Sequence, residues 1–308
     1  MRIPRLWVMV VLGLVPLLAQ AKLVNAMPSM APHITVVDDW QRPVQFLRKP
    51  QRIVSLSAHL TELLFDAGLG DQLVAVDLHS DFPPQVKNLP RINAWPEPSL
   101  EALLKLKPDV VLMWGQGLKR ATVERLEQFG IRVWVSDPTT VANIPTTIER
   151  LAQLGSDTKS NDAKSSDAKS AAERVRALKA TLALSQTRTN GQAVPVFMQV
   201  WQQPLMTVGG DTVVADALRH CGAHAVLSTA IKGSAVVSLE AVLKASPLAI
   251  VSSNEHDVRA YWKARLSVEQ SGALEHIIIE PQTLSRPSAR LIDALIPLCR
   301  KIDALRKN

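Results

Sequence analysis

Residues 99–114 read SLEALLKLKPDVVLMW, and residues 238–253 read SLEAVLKASPLAIVSS. In the first copy, Ser99 is the predicted N-cap of a helix, Pro108 ends that helix, and DVVLMW is a predicted buried strand. The second copy predicts the same helix and strand. A helix followed by a buried strand is the repeating unit of a parallel sheet with helices on its faces. The chain therefore uses this unit at equivalent places in its two halves.

The same alternation of strands and helices extends through the rest of the chain. Further strands are predicted at 52–56, 72–78, 131–137, 194–200 and 276–280. Further helices are predicted at 61–69, 121–130, 212–222 and 288–305, and a hairpin is predicted at 34–47. Thr61 is a predicted N-cap, and Pro297 is expected to kink the last helix. This order of elements predicts the α/β class.

Residues 1–21 have the pattern of a secretory signal peptide. Arg2 and Arg5 precede an apolar run that ends in the small-residue pattern Ala19-Gln20-Ala21. The run is shorter than the roughly 20 residues that a membrane-spanning helix needs. No cysteine lies near the cleavage site to carry a lipid anchor. We expect cleavage after Ala21 and export of a soluble protein.

The 308-residue chain is too long for one small core and fits two domains of about 100 to 150 residues. The pattern places an N-terminal α/β lobe at 22–152 and a C-terminal α/β lobe at 188–308. Between them, residues 157–171 form three polar units, DTKSN, DAKSS and DAKSA, which cannot contribute to a core. A partly apolar helix follows at 171–187. The whole segment 153–187 is expected to bridge the two lobes.

The formal net charge is +7, and the basic residues are scattered along the chain. This distribution gives little support to nucleic-acid binding, which favours a basic stripe or patch.

Cys221 and Cys299 are the only cysteines in the chain. An even pair in an oxidising compartment usually forms a disulfide bond. The alternative is two buried free thiols that pack as small apolar groups.

Six segments of the sequence resemble a known family. They are RIVSLSAHLTELLFDAGLGDQLVAV, HSDFPPQVKNLPRINAW, SLEALLKLKPDVVLMWG, QVWQQPLMTVGGDTVVADALRHCGA, VSLEAVLKASP and SRPSARL. Their order and spacing are similar to those of periplasmic substrate-binding proteins of ABC importers. Within that family, the resemblance is to the cobalamin-binding branch of the class whose lobes are joined by one rigid helix.

The resemblance implies two Rossmann-like α/β lobes, a single long rigid helix between them, and a ligand cleft between the lobes. It implies a monomer in the periplasm that captures a corrinoid and delivers it to a membrane permease driven by a separate ATPase. No catalysis and no resident cofactor are implied, because cobalamin is the cargo. Glu101 and Glu240 match the acidic residues, one in each lobe, that dock on permease arginines in the family. Their alternative role is to stabilise the first turn of a helix through its dipole.

A corrinoid is a large, partly apolar ring, so its site needs aromatic surfaces and a few polar groups at the rim. Candidate ligand-binding residues are Phe82, Trp95, Trp114, Trp201, Arg286, His59 and Gln282. Core packing is the alternative for each aromatic residue, and Trp134 is expected to lie in the core. Gln282 stands where the resemblance leads us to expect Asp, and Ser234 stands where a cleft Trp can occur. These two departures leave haem-binding and siderophore-binding relatives as rival assignments.

His59 and His79 raise the alternative of metal binding, because related importers for zinc or manganese place histidines in the cleft. The low-complexity segment contains no histidine, which counts against a zinc or manganese carrier. We therefore expect no metal site, although His59 is a candidate ligand for haem iron. An enzyme is disfavoured, because the sequence has no nucleophile elbow, no phosphate-binding loop and no His-Glu-x-x-His motif.

Overall fold

The computed structural model describes residues 34–155, 166–186, 193–252, 258–266, 275–278 and 281–306. The predicted signal peptide lies outside these residues, and so does most of the polar repeat at 157–171. No helix among the described residues is long and apolar enough to cross a membrane.

Thirteen strands and eleven helices alternate along these residues. The strands are β1 (Ile34–Val37), β2 (Pro43–Phe46), β3 (Ile53–Ser55), β4 (Leu73–Asp77), β5 (Arg91–Ile92), β6 (Val110–Trp114), β7 (Val133–Ser136), β8 (Val194–Gln199), β9 (Met206–Val208), β10 (Ala223–Ala225), β11 (Ser234–Val236), β12 (Ala249–Ser252) and β13 (Glu275–Ile278). The helices are α1 (Ala58–Asp66), α2 (Leu100–Leu106), α3 (Arg120–Gln128), α4 (Asn143–Leu154), α5 (Ser166–Ser185), α6 (Val213–His220), α7 (Leu239–Lys244), α8 (Val258–Lys263), α9 (Pro281–Leu284), α10 (Ala289–Asp293) and α11 (Leu295–Ala304).

The first half of the chain forms a five-stranded parallel sheet in the order β5-β4-β3-β6-β7. Strands β3, β6 and β7 are buried along almost their whole length, as expected for a sheet covered by helices on both faces. The hairpin β1-β2 is antiparallel and forms a separate sheet. The chain enters this sheet at β3, builds outward to β5, and then crosses to β6 on the other side. The point between β3 and β6 is therefore a topological switch point.

The second half repeats this plan with a four-stranded parallel sheet in the order β10-β8-β12-β13. Its switch point lies between β8 and β12. Strands β9 and β11 pair antiparallel in a small sheet of their own. The predicted α/β class with parallel sheets is confirmed.

The repeated SLEA phrase starts the equivalent helices α2 and α7. The Ser99 hydroxyl accepts a hydrogen bond from the Ala102 amide at 3.2 Å, and the Ser238 hydroxyl accepts one from the Ala241 amide at 3.1 Å. Each serine thus satisfies one of the backbone donors that a helix start leaves unpaired.

Helix α5 packs against α4 on one side and against α10 and α11 on the other. Arg174 of α5 pairs with Asp66 of α1 at 3.2 Å and with Asp293 of α10 at 2.7 Å. This one arginine thereby ties together helices from both halves of the chain.

The structure bears on two predictions about helices, and the N-cap predicted at Thr61 is wrong. Helix α1 begins at Ala58 after Ser57, and Thr61 lies inside it, where its hydroxyl donates to the Ser57 carbonyl at 3.1 Å. The predicted last helix is two helices that meet at Ala294. The break falls in the turn before Pro297, which has no N–H to donate to the Asp293 carbonyl, so the interruption expected from this proline is present.

Candidate ligand-binding site

The loops that follow β3, β4 and β6 meet at the switch point of the first sheet. Parallel strands leave their carboxyl ends on one edge, and a crevice forms there where neighbouring loops run in opposite directions. The residues delivered to this crevice are Ser57 and His59 after β3, Asp77 and His79 at the end of β4, and Trp114 at the end of β6.

A cavity of about 400 Å³ occupies this crevice. Trp95 lines it with 74% of its side chain exposed, and Trp114 lines it with 37% exposed. Arg286 reaches the same cavity from the loop between α9 and α10. Large apolar rings left open to solvent beside a few polar groups are characteristic of binding sites for flat organic ligands.

The second cavity, of about 540 Å³, shares Trp114 with the first and is lined by residues from both halves of the chain. Asp137 follows β7, and Asp211 lies just before α6. Burial, together with the charges of Asp39 and Asp211, raises the pKa of Asp137 above its usual range. Lys232 lines the same cavity, so both signs of charge face this space.

His59 lies on the wall of the first cavity and is only 2% exposed. Its Nδ1 lies 2.6 Å from the Ser57 hydroxyl, and Trp114 packs at right angles to its ring with 5.4 Å between centroids. Burial, with a further contribution from the charge of Arg286, lowers the pKa of His59 to about 3. The imidazole is therefore uncharged at neutral pH.

Arg286 takes part in an ionic cluster rather than standing alone at the rim. Its guanidinium donates to Glu62 at 3.2 Å, to the Asp81 carboxylate and to the His79 carbonyl at 3.1 Å. Arg290 binds the same Glu62 with two hydrogen bonds, at 2.8 and 3.0 Å. Although partial burial opposes it, the hydrogen bond and charge of Arg286 hold the pKa of Asp81 below its usual range. Arg286 thus lines the cavity and also links α1 by an ion pair to the loop that follows α9.

The other predicted ligand contacts lie elsewhere. Phe82 is 40% exposed and packs under the Arg290 guanidinium at 4.3 Å. Trp201 is 55% exposed, and its Nε1 donates to the Gln203 carbonyl at 3.0 Å. Among the described residues, neither Phe82 nor Trp201 belongs to the lining of the two cavities. Gln282 falls in α9, but its side chain lies outside the described part of the structure.

Glu101 and Glu240 each lie in the first turn of their helix, two residues after the capping serine. Both are exposed, and Glu101 forms an ion pair with Lys105 at 2.8 Å. Trp134 is fully buried, so its predicted place in the core is confirmed.

Cys221 and Cys299 form a disulfide bond with their Cα atoms 4.5 Å apart. The bond joins the end of α6 to α11, and the predicted pairing is confirmed.

Sequence reasoning did not assign a role to Glu62, Arg290, Asp77 or Asp137. Glu62 and Arg290 each stand inside a predicted helix, far apart in the sequence. One signal was present: Glu62 is followed directly by the apolar Leu63 and Leu64 in a short helix that also contains Leu60. A glutamate at that place needs a buried cationic partner.

Comparison with known proteins identifies the class of protein to which this fold and crevice belong. Residues 53–283 match the family model described as periplasmic binding protein, and the chain belongs to that family. A vitamin B12-binding protein of Pectobacterium carotovorum is 31% identical over 260 residues, which span 83% of this chain and 90% of that protein.

Solved structures of periplasmic binding proteins are similar to this chain. The periplasmic vitamin B12-binding protein BtuF of Vibrio cholerae superposes with a TM-score of 0.70 at 28% identity, over 84% of this chain and 99% of that chain. The periplasmic heme-binding protein RhuT of Roseiflexus superposes with a TM-score of 0.68 at 19% identity, over 83% of this chain and 98% of that chain, which shows a common fold.

Proposed function

We propose that this protein captures vitamin B12 or a related corrinoid in the periplasm and delivers it to an ABC importer. The observation that carries this proposal is the cavity at the switch point, with Trp95 and Trp114 open to it. A corrin ring presents broad apolar faces, which match exposed indole rings. The vitamin B12-binding names of relatives at 31% identity support the same ligand.

The two cavities suggest how such a ligand is held. The cavities adjoin, since both are lined by Trp114, Gln116 and Gly117, and we take them as two parts of one ligand cleft. We take the two parallel sheets as the cores of two lobes, with boundaries at 22–152 and 188–308, and helix α5 as the rigid connection between them. The corrin then lies in the first cavity, and its substituents extend into the second. Cleavage after Ala21 releases this unit into the periplasm.

The direct test uses the purified protein from residue 22 onward. It is titrated with cyanocobalamin, and binding is measured by calorimetry and by quenching of tryptophan fluorescence. We expect saturable binding of one ligand per chain. Hemin is titrated in parallel, because the haem-binding relatives share the fold. Tight hemin binding without cyanocobalamin binding would reassign the protein to haem uptake.

Replacing Trp95 by alanine is expected to weaken cyanocobalamin binding by more than about 1 kcal/mol, because an exposed ring loses its stacking contact. Calorimetry of the variant provides the measurement. Phe129→Ala is the matched control, since Phe129 is also exposed (54%) but lies at the end of α3 outside both cavities. Equal affinities of the Trp95 and Phe129 variants would show that the ligand is not bound at this cavity.

We also propose that Glu101 and Glu240 dock the protein on its permease. Both carboxylates are exposed at equivalent helix starts in the two halves, which suits a permease built from two similar subunits. The double change Glu101→Ala and Glu240→Ala is expected to weaken binding to the permease in lipid nanodiscs by about tenfold or more. Affinity for cyanocobalamin should not change.

Glu124→Ala is the control for this experiment, because Glu124 is another exposed helical glutamate in α3. If the double variant binds the permease as tightly as the Glu124 variant, the two glutamates only stabilise the first turns of their helices.

A further inference from the structure

One ring nitrogen of His59 has no hydrogen-bond partner among the described residues. Its Nε2 is buried and makes no hydrogen bond within the part of the chain that the structure describes. A buried polar atom of this kind costs about 1 to 3 kcal/mol of stability, so it calls for an explanation. The other nitrogen, Nδ1, is held by the Ser57 hydroxyl at 2.6 Å.

This arrangement is the one expected of a metal-ligating histidine. Such a histidine donates its second N–H to an oxygen, which fixes the ring and leaves the first nitrogen with a free lone pair. Ser57 is in the position to accept that N–H. The Ser57 hydroxyl is itself buried, so the orientation of the ring does not depend on solvent.

The surroundings of His59 indicate which kind of metal it suits. The described residues contain no group of three or more His, Cys, Asp or Glu side chains arranged to hold an ion. One imidazole is a poor site for a free ion, but it can supply a single axial bond to a metal whose other positions are filled by a ring ligand. His59 lies in the wall of the cavity that carries Trp95 and Trp114, where such a ring would lie.

We propose that His59 Nε2 coordinates the cobalt of a corrinoid that carries an exchangeable axial water, as cobinamide-type corrinoids do. This inference rests on the proposed function, and it adds that this protein accepts incomplete corrinoids through a metal bond. The Nε2 lone pair forms a bond to cobalt, the cobalt–water bond breaks, and the water leaves to solvent. The Nδ1 proton stays on the ring, and no electron is transferred.

Trp114 controls access to this bond. Its ring is inclined at 74° to the imidazole with 5.4 Å between centroids, and the residue is 37% exposed. Cobalt reaches Nε2 after the indole turns away from the histidine towards the incoming ring. The indole then contributes its face to the ligand.

The test uses cobinamide with axial water ligands, reduced anaerobically to the Co(II) state with ascorbate and bound to the purified chain. Electron paramagnetic resonance reports an axial nitrogen as a threefold splitting of the cobalt lines, and histidine labelled with ¹⁵N changes that splitting to twofold. We expect this signal in the wild-type complex and its loss in His59→Gln. Ser57→Ala should weaken cobinamide binding by about tenfold, since it removes the group that orients the ring.

His79→Gln is the matched control, because His79 lines the same cavity but is mostly exposed (78%). The nitrogen signal should persist in this variant. The proposal would be overturned if His79→Gln lost the signal and His59→Gln kept it. The proposal would also be overturned if calorimetry showed full binding of cobinamide but the spectrum showed no nitrogen splitting. In that case the His59 Nε2 would be an N–H directed at the Trp114 ring. That outcome leaves the proposed function standing, whereas failure to bind both cyanocobalamin and cobinamide would remove it.

Discussion

Replacing Glu62 by alanine is expected to lower the free energy of unfolding by about 3 to 5 kcal/mol. Glu62 is 3% exposed and accepts hydrogen bonds from both Arg286 and Arg290. Their side chains are only 16% and 22% exposed, so the change leaves two cations with too little solvent to replace the lost carboxylate. Asp81 still pairs with Arg286, which places the expected cost near the lower end of the range. Urea unfolding at neutral pH measures the effect.

Glu101→Ala is the matched control, because Glu101 is 79% exposed in a surface ion pair and should cost less than about 1 kcal/mol. A second variant separates charge from size. Glu62→Gln keeps a hydrogen-bond acceptor at the same place, so it should fall between wild type and Glu62→Ala. A Glu62→Ala protein as stable as the Glu101→Ala protein would mean that the cluster contributes nothing to holding α1 against α10.

Removing the disulfide by the double change Cys221→Ala and Cys299→Ala is expected to cost about 4 to 5 kcal/mol. The bond closes a loop with a sequence separation of 78 residues, and a closed loop of that size restricts the unfolded chain. Both half-cystines are buried, so lost packing adds to the effect. Urea unfolding of wild type with and without dithiothreitol gives the value independently of mutation.

The double-alanine variant is also the control for the reductant, because dithiothreitol should leave its unfolding curve unchanged. Equal stabilities of oxidised and reduced wild type would show that the unfolded chain is already restricted by other contacts in this region.

The α/β class was predictable because it depends on local patterns. Continuous apolar runs at β6 and β12, each after a capped helix, can only be buried in a parallel sheet covered on both faces. The disulfide was predictable because the chain offers only one pairing. Trp95 and Trp114 were predictable as cavity residues because each ends or follows a strand, where the crevice of an open sheet forms.

Other features of the site needed three-dimensional information. Thr61 looked like an N-cap, because a threonine before an apolar run is a common helix start. In the fold, Ser57 precedes the helix instead, and the Thr61 hydroxyl donates hydrogen bonds to the Ser55 hydroxyl and the Ser57 carbonyl. Arg286 was predicted to contact ligand, and it does reach the cavity, but its ion pairs with Glu62 and Asp81 link positions more than two hundred residues apart. No local pattern reports such a pairing.

The sequence by itself determined the central strands of both sheets and their burial, the two capped SLEA helices and the single possible disulfide, but it did not predict helix α4 or the short strands β5, β9, β10 and β11. The predicted features follow from hydrophobic periodicity and side-chain hydrogen bonding within a few residues. Only the tertiary structure decided that His59 packs against Trp114 with its Nε2 buried and without a partner among the described residues, and that Glu62 binds two arginines near the end of the chain. Burial and charge pairing at these positions depend on which distant segments pack together, and that is a property of the whole fold.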